Sequence, residues 1–228
     1  MCRTVLAGEQ YHQVGQITGE PGTGKSRLTE WLAEEFGGVR VECWNGIGDK
    51  VLLQEIAHGM RQRGVSIDAS GTAPSLFRRI KAECEGMLII IDEANQLMWP
   101  TLEKLRGLSD IGRAGLILSG TDIMAKRLLE ARVRIYLTQL RQRIGAKKIT
   151  LRPLADPAEL AAYVLVPRFG EDITAGTAKH FLRVTGGQWR MAFEVADACE
   201  RLMQNESISK LDEKVIATAH TWMAGVAA

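Results

Sequence analysis

Apolar positions along the chain follow two rhythms, and the change from one to the other divides the sequence. In the first two thirds, short continuous apolar runs alternate with stretches of helical period. Val14 to Thr18, Val39 to Cys43, Leu88 to Ile91 and Gly115 to Leu118 read as strands. Their lack of polar alternation marks strands buried on both faces of a parallel sheet. Between them, Leu28, Trp31, Leu32 and Phe36 repeat at helical spacing before Gly37-Gly38, and Leu53, Ile56, Ala57 and Met60 fall at offsets 0, 3, 4 and 7. Leu76, Phe77, Ile80 and Cys84 mark a third helix, and a further one is predicted near Trp99 to Leu108. Gly64 to Pro74 reads as a polar connector.

After Leu151-Arg152-Pro153-Leu154 the strand-like runs stop and only helical periodicity remains. Asp156-Pro157 has the form of an N-cap followed by proline at the first helical position. Further helices are expected over about 175–184, 188–203 and 211–223. The expected fold class is therefore α/β, a parallel sheet flanked by helices over 1–152, followed by a small all-helical domain over 153–228.

Composition adds exclusions. The 228 residues carry a formal net charge of +2 with a quarter of them charged, which suits neither a disordered chain nor a strongly basic nucleic-acid binder. Any DNA contact must come from a local patch. Cys2, Cys43, Cys84 and Cys199 are scattered without a Cys-x-x-Cys pair, so neither a disulfide framework nor a zinc site is expected. The longest apolar run, Met87 to Ile91, is far too short to span a bilayer, and a cytoplasmic protein without membrane attachment is expected.

Chemistry concentrates at the ends of the predicted strands. Gly19-Glu20-Pro21-Gly22-Thr23-Gly24-Lys25-Ser26 is a phosphate-binding loop set between a strand and a helix. Its glycines let backbone N–H groups turn inward on phosphate oxygens, and the helix that follows adds the positive end of its dipole. Lys25 is expected to reach the β- and γ-phosphates and Ser26 to ligate Mg²⁺, with Arg27 beside them. Asp92 and Glu93 end the run Ile89-Ile90-Ile91, where parallel sheets place their ligands. There Asp92 is expected to hold Mg²⁺ and Glu93 to orient and deprotonate the water that attacks the γ-phosphate of ATP. The next strand ends in Ser119-Gly120-Thr121, whose hydroxyls, Thr121 above all, are candidates for contact with that phosphate. Arg141 and Arg143 precede the last strand and are candidates for a cation donated to a neighbouring subunit's nucleotide, and Arg190 lies off the apolar stripe of its helix.

Together these segments resemble an AAA+ ATPase: a Walker A loop, an Asp-Glu Walker B pair, a first-sensor turn, an arginine-finger segment and a helical lid carrying Arg190 as a second sensor. Within that superfamily, four segments are similar to the transposition ATPases, the group with the phage Mu B protein and the TniB and TnsC regulators. They are the loop itself, Asp92-Glu93-Ala94-x-x-Leu97, Leu105-Arg106-x-Leu108-x-Asp110 and Gln139-Leu140-x-x-Arg143. The resemblance implies an Mg²⁺-dependent ATPase, cycling between ATP and ADP, that binds duplex DNA without sequence preference. It also implies self-assembly on DNA as a helical filament or ring and recruitment of a DDE transposase, with Arg143 acting in trans. Little precedes the first strand, so the Mu B N-terminal appendage is not expected, and Met1 to Gln13 are expected to cover the adenine.

For the DNA itself, phosphate contacts indifferent to base sequence are expected from Arg61 and Arg63, and from Arg78, Arg79 and Lys81, with Lys147 and Lys148 as weaker candidates. Two other functions fit the same residues: a loader or secretion-type ATPase acting on a protein, and a nucleotide-gated scaffold with negligible hydrolysis.

Overall fold

The computed structural model of the protein describes residues 1–6, 13–127, 130, 135–223 and 225. Of the segment expected to cover the adenine, residues 7–12 lie outside the described residues. The chain forms two compact units, Met1–Gly19 with Lys25–Leu151, and Glu20–Gly24 with Arg152–Ala228.

In the first unit, α1 (Cys2–Leu6), β1 (Val14–Gly19), α2 (Lys25–Glu35), β2 (Val39–Glu42), α3 (Asp49–Gln62), α4 (Ala73–Glu83) and β3 (Leu88–Asp92) come first. A 3₁₀ turn (Ala94–Gln96), α5 (Trp99–Asp110), β4 (Gly115–Gly120), α6 (Asp122–Arg127), α7 (Thr138–Ile144) and β5 (Lys148–Leu151) complete it. The five strands pair in parallel in the order β2-β3-β4-β1-β5. Parallel neighbours need crossover connections, and the helices between strands supply them. Every residue of the central strands β1, β3 and β4 is buried, as their continuous apolar runs require. The pleat sends alternate side chains to opposite faces. Ile89, Ile91, Leu116 and Leu118 therefore meet Ile56 and Met60 of α3, Ile80 of α4 and Leu105 of α5. Leu88, Ile90, Ile17 and Ile117 meet Leu32 of α2 and Val5 of α1 on the other face.

Two expectations change. Trp31, counted in the apolar stripe of α2, is 53% exposed. The buried face of that helix is Lys25, Thr29, Leu32 and Ala33, because it is turned by the polar site it serves as well as by the core. The connector before α4 is not wholly polar in its packing, since Ile67 and Ala69 are buried in the core beside α3.

The second unit is helical. α8 (Pro157–Leu160) passes through a π-helical segment (Ala161–Leu165) into α9 (Val166–Phe169), followed by α10 (Ala175–Thr185), α11 (Trp189–Asn205) and α12 (Glu213–Met223). Asp156 caps α8 by accepting from the Ala158 N–H, and Thr174 caps α10 by accepting from the Thr177 N–H. Phe181, Val195, Cys199 and Ile216 are fully buried in the core of this unit.

Candidate functional site

The site is built from backbone first. Gly22 and Gly24 adopt φ of 83° and 88°, a region that a side chain makes costly, so glycine at these two positions shapes the loop. Thr23 is buried, and its Oγ1 donates to the Glu20 carbonyl at 2.8 Å, closing the turn that Glu20 and Pro21 expose. Gly19 ends β1, and Lys25 opens α2 at 5% exposure. Ser26 and Arg27 are exposed on the same first turn, where Arg27 pairs with Glu30 at 3.3 Å.

At the C-terminal end of β3, Asp92 is fully buried. Arg40 Nη2 donates to Asp92 Oδ2 at 2.7 Å and also to Glu42 at 3.1 Å. Thr29 Oγ1 stands 3.2 Å from the same Asp92 oxygen, 2.8 Å from the Ser26 carbonyl, and accepts from Arg40 Nε at 3.0 Å. Burial alone would raise the Asp92 pKa, but the Arg40 hydrogen bond and charge, helped by the nearby Ser119 and Ser26 hydroxyls, hold it below the usual carboxylate range. The neighbouring Cys43 thiol is pushed to about 12 by burial and by the charges of Asp92, Glu93 and Glu42, which keeps it protonated and inert.

Arg40 and Thr29 are functional neighbours that periodicity does not reveal. Register explains Arg40: Glu42 lies opposite Asp92 and Arg40 opposite Ile90, so the arginine is the diagonal neighbour of Asp92 across the β2–β3 ladder. The available signal is an arginine placed between two buried valines, Val39 and Val41.

Glu93 follows in the left-handed region at φ 52°, ψ 38°. Its Oε2 accepts from Asn95 Nδ2 at 3.2 Å, and Asn95 Oδ1 accepts from the Thr121 N–H at 3.0 Å. Beyond β4, Thr121 Oγ1 is buried without a hydrogen-bond partner, while the Ser119 hydroxyl at the strand end lies close enough to Asp92 to favour its charged form. The structure thus brings Lys25, Asp92, Glu93, Ser119 and Thr121 to the C-terminal edge formed by β1, β3 and β4.

Arg143, on α7, donates from Nε to Asp110 Oδ1 at 2.9 Å. Asp110, at the end of α5, also pairs with Arg106 one turn earlier. The helix motif around Leu105-Arg106 and the Gln139-Leu140 segment are therefore joined by one carboxylate. In the second unit, Arg190 is exposed at the start of α11, and its backbone N–H lies 3.4 Å from the Gly22 carbonyl.

The basic candidates divide. Arg63 donates to the Gly38 carbonyl at 3.0 Å and to the Ala33 carbonyl at 3.3 Å, tying down the end of α2. Arg79 donates to the Asp68 and Ser70 carbonyls at 2.7 and 2.8 Å and pairs with the Asp68 carboxylate. Those two arginines hold the fold. Arg61 and Arg78 are exposed, and Arg78 and Lys81 border an open recess of about 570 Å³ walled by Leu53 and Phe77.

Among the described residues, no helix is long and apolar enough to cross a membrane. All four cysteines are buried and free.

The fold is widely represented. The chain is similar in structure to the Aeropyrum pernix ORC2 protein in its ADP form, at 20% identity with a TM-score of 0.65 over 96% of this chain and 65% of that one. It is also similar to a Walker-type ATPase of Pyrococcus abyssi, at 13% identity and TM-score 0.70 over 97% and 69% of the two chains. A third is the Thermotoga maritima RuvB Holliday junction branch migration motor, at 16% identity and TM-score 0.55 over 95% and 63%. The chain thus spans 65% of the length of the ORC2 protein, just under two thirds. No curated protein matches it at significant sequence similarity. Residues 8–129 match the family model described as an AAA domain, and since that segment is more than half of the 228 residues, the chain belongs to the AAA family.

Proposed function

We propose that the protein is a Mg²⁺-dependent AAA+ ATPase that assembles on duplex DNA as a filament or ring and recruits or activates a DDE transposase there. The observation that carries hydrolysis is the pairing of a buried Asp92 with an adjacent Glu93 at the strand edge that also holds Lys25. Thr121 Oγ1 is a buried hydroxyl without a hydrogen-bond partner in the protein, and carboxylate and hydroxyl oxygens suit a hard cation. The donor set therefore fits a magnesium nucleotide, with Ser26 and Asp92 as the groups that hold the ion. When bound, the ion neutralises charge developing on the transferred phosphoryl group.

The chain's own residues supply the rest. The N–H groups of Gly19, Gly22 and Gly24 and the N-terminus of α2 cradle phosphate, with Lys25 on its β/γ oxygens and Arg27 and Arg190 as flanking cations. Glu93 takes the proton of the attacking water, and Thr121 meets the γ-phosphate. Arg143 completes the site of a neighbouring subunit. The DNA part of the reading draws support from the motif resemblance and from the likeness in fold to the RuvB Holliday junction branch migration motor and to Drosophila ORC bound to DNA. With Arg63 and Arg79 engaged by backbone carbonyls, Arg61, Arg78 and Lys81 are the cations of the two clusters left to meet phosphates, with Lys147 and Lys148 as weaker candidates.

Glu93→Gln removes the base while keeping the site's shape, so this variant should bind ATP, lose turnover and stay on DNA after wild type has dissociated. Retention is read by filter binding against salt, where phosphate contacts give a steep loss of affinity with ionic strength. A variant that holds ATP but neither assembles nor retains DNA would overturn the DNA reading and leave an ATPase with a protein partner.

A further inference from the structure

Glu93 carries a Cβ, yet its backbone lies in a left-handed conformation that costs on the order of 1 to 3 kcal/mol unless its surroundings fix it. Two contacts fix it. Its N–H donates to Asp92 Oδ1 at 3.1 Å, and its carboxylate accepts from Asn95 Nδ2 at 3.2 Å. The orientation of the Asn95 amide is dictated by chemistry: the Glu93 carboxylate can only accept and the Thr121 N–H can only donate, so Nδ2 must face the first and Oδ1 the second. One planar group therefore reaches from the strand end of β3 to the strand end of β4.

Gly120 makes this possible. A Cβ at that position would stand 2.5 Å from Asn95 Oδ1, so any side chain there would push the carboxamide away. Gly120 does not need a left-handed backbone, so its lack of a side chain serves the close approach rather than a turn.

We propose that Asn95 is a positioning residue that couples the Glu93 carboxylate to the Gly120–Thr121 backbone, so that a movement of the β4 end when phosphate binds is passed to the base. The inference rests on the hydrolase reading of Glu93. A displaced base loses rate while substrate binding stays, because misplacement by about 1 Å costs on the order of a hundredfold in the chemical step.

The test is a double-mutant cycle on Asn95→Ala and Gly120→Ala, read two ways. In ATP turnover with duplex DNA, each single variant should lose about tenfold or more in kcat with KM for ATP changed less than about twofold, and the double variant should be no worse than Asn95→Ala. In the ligand-free protein, Gly120→Ala should lower Tm when Asn95 is present and leave it unchanged when residue 95 is alanine. Wild-type kcat in Asn95→Ala, or losses from the two changes that simply add, would overturn the coupling. Absence of turnover in the wild type would instead defeat the hydrolase reading, while the Tm cycle would still report on the contact itself.

Discussion

A single buried carboxylate governs the electrostatics of the site. Asp92 has no exposed surface, and a charge so placed persists only beside a compensating cation. Arg40, at 17% side-chain exposure, is that cation, and Thr29 takes up further hydrogen-bonding capacity of the pair. Removing one member of such a pair strands the other, which typically costs about 3 to 5 kcal/mol, whereas removing both is far less harmful. Arg40→Met should therefore lower Tm by roughly 6 to 20 °C, at about 2 to 4 °C per kcal/mol for a chain of this size. The Asp92→Asn/Arg40→Met double variant should recover most of that loss. Because a divalent cation would compensate the stranded carboxylate, Mg²⁺ with nucleotide should raise the Tm of Arg40→Met more than that of wild type. A melting point within about 2 °C of wild type for Arg40→Met would show that the pair contributes little.

Helices α3 and α5 are joined by a polar clasp outside the site. Asp49, in the first turn of α3, accepts from Thr101 Oγ1 at 2.5 Å and pairs with Lys104, both of α5. Burial alone would raise its pKa, but the Lys104 and Thr101 hydrogen bonds and the lysine charge hold it below the ordinary value. The folded pKa is thus below the unfolded one, so the clasp stabilises fully above about pH 4 to 5 and loses its effect as pH falls through the lowered value. Asp49→Asn should cost about 1 kcal/mol at pH 7, the modest figure reflecting a half-exposed lysine, and the difference from wild type should shrink below about pH 4. Urea titrations at the two pH values decide it, since a difference that persists in acid would place the loss in packing. The elements themselves were largely legible because burial on both faces leaves a continuous apolar run, as in Leu88 to Ile91, and because phosphate chemistry demands contiguous residues, as in Gly19 to Ser26. What was not legible depends on chain separation. Arg40 lies 52 residues from Asp92 and Asn95 lies 26 from Thr121, so each gains meaning only through strand order. Arg63 and Arg79 read as surface cations because each donates to two backbone carbonyls, which a sequence shows identically at every position. Gly59 breaks no helical pattern, yet a Cβ there would meet Val39 Cγ1 at 2.4 Å, a closeness of α3 to β2 that periodicity does not encode.

For the molecule as a whole, the open question is what Arg143 serves. Within the chain its Nε side is engaged by Asp110, which Arg106 shares, and this alone gives the arginine a structural use. The same engagement also aims a long flexible side chain, and a cation presented across a head-to-tail interface has to be held in place before its partner arrives. The two uses separate in mixtures. If Arg143 acts across an interface, Glu93→Gln and Arg143→Ala are each inactive alone, but an Arg143→Ala subunit keeps its own base and can borrow the guanidinium of a Glu93→Gln neighbour. In random equimolar assemblies about one interface in four combines both intact groups, so turnover should return to about a quarter of wild type. Turnover per subunit in the wild type should also rise with protein concentration, since a solitary protomer lacks the donated charge. If Arg143 serves only the ion pair with Asp110, mixing restores nothing, and Arg143→Ala should instead lower Tm, with Asp110→Asn lowering it further because Arg106 loses a partner too, and activity lost in proportion to folded protein.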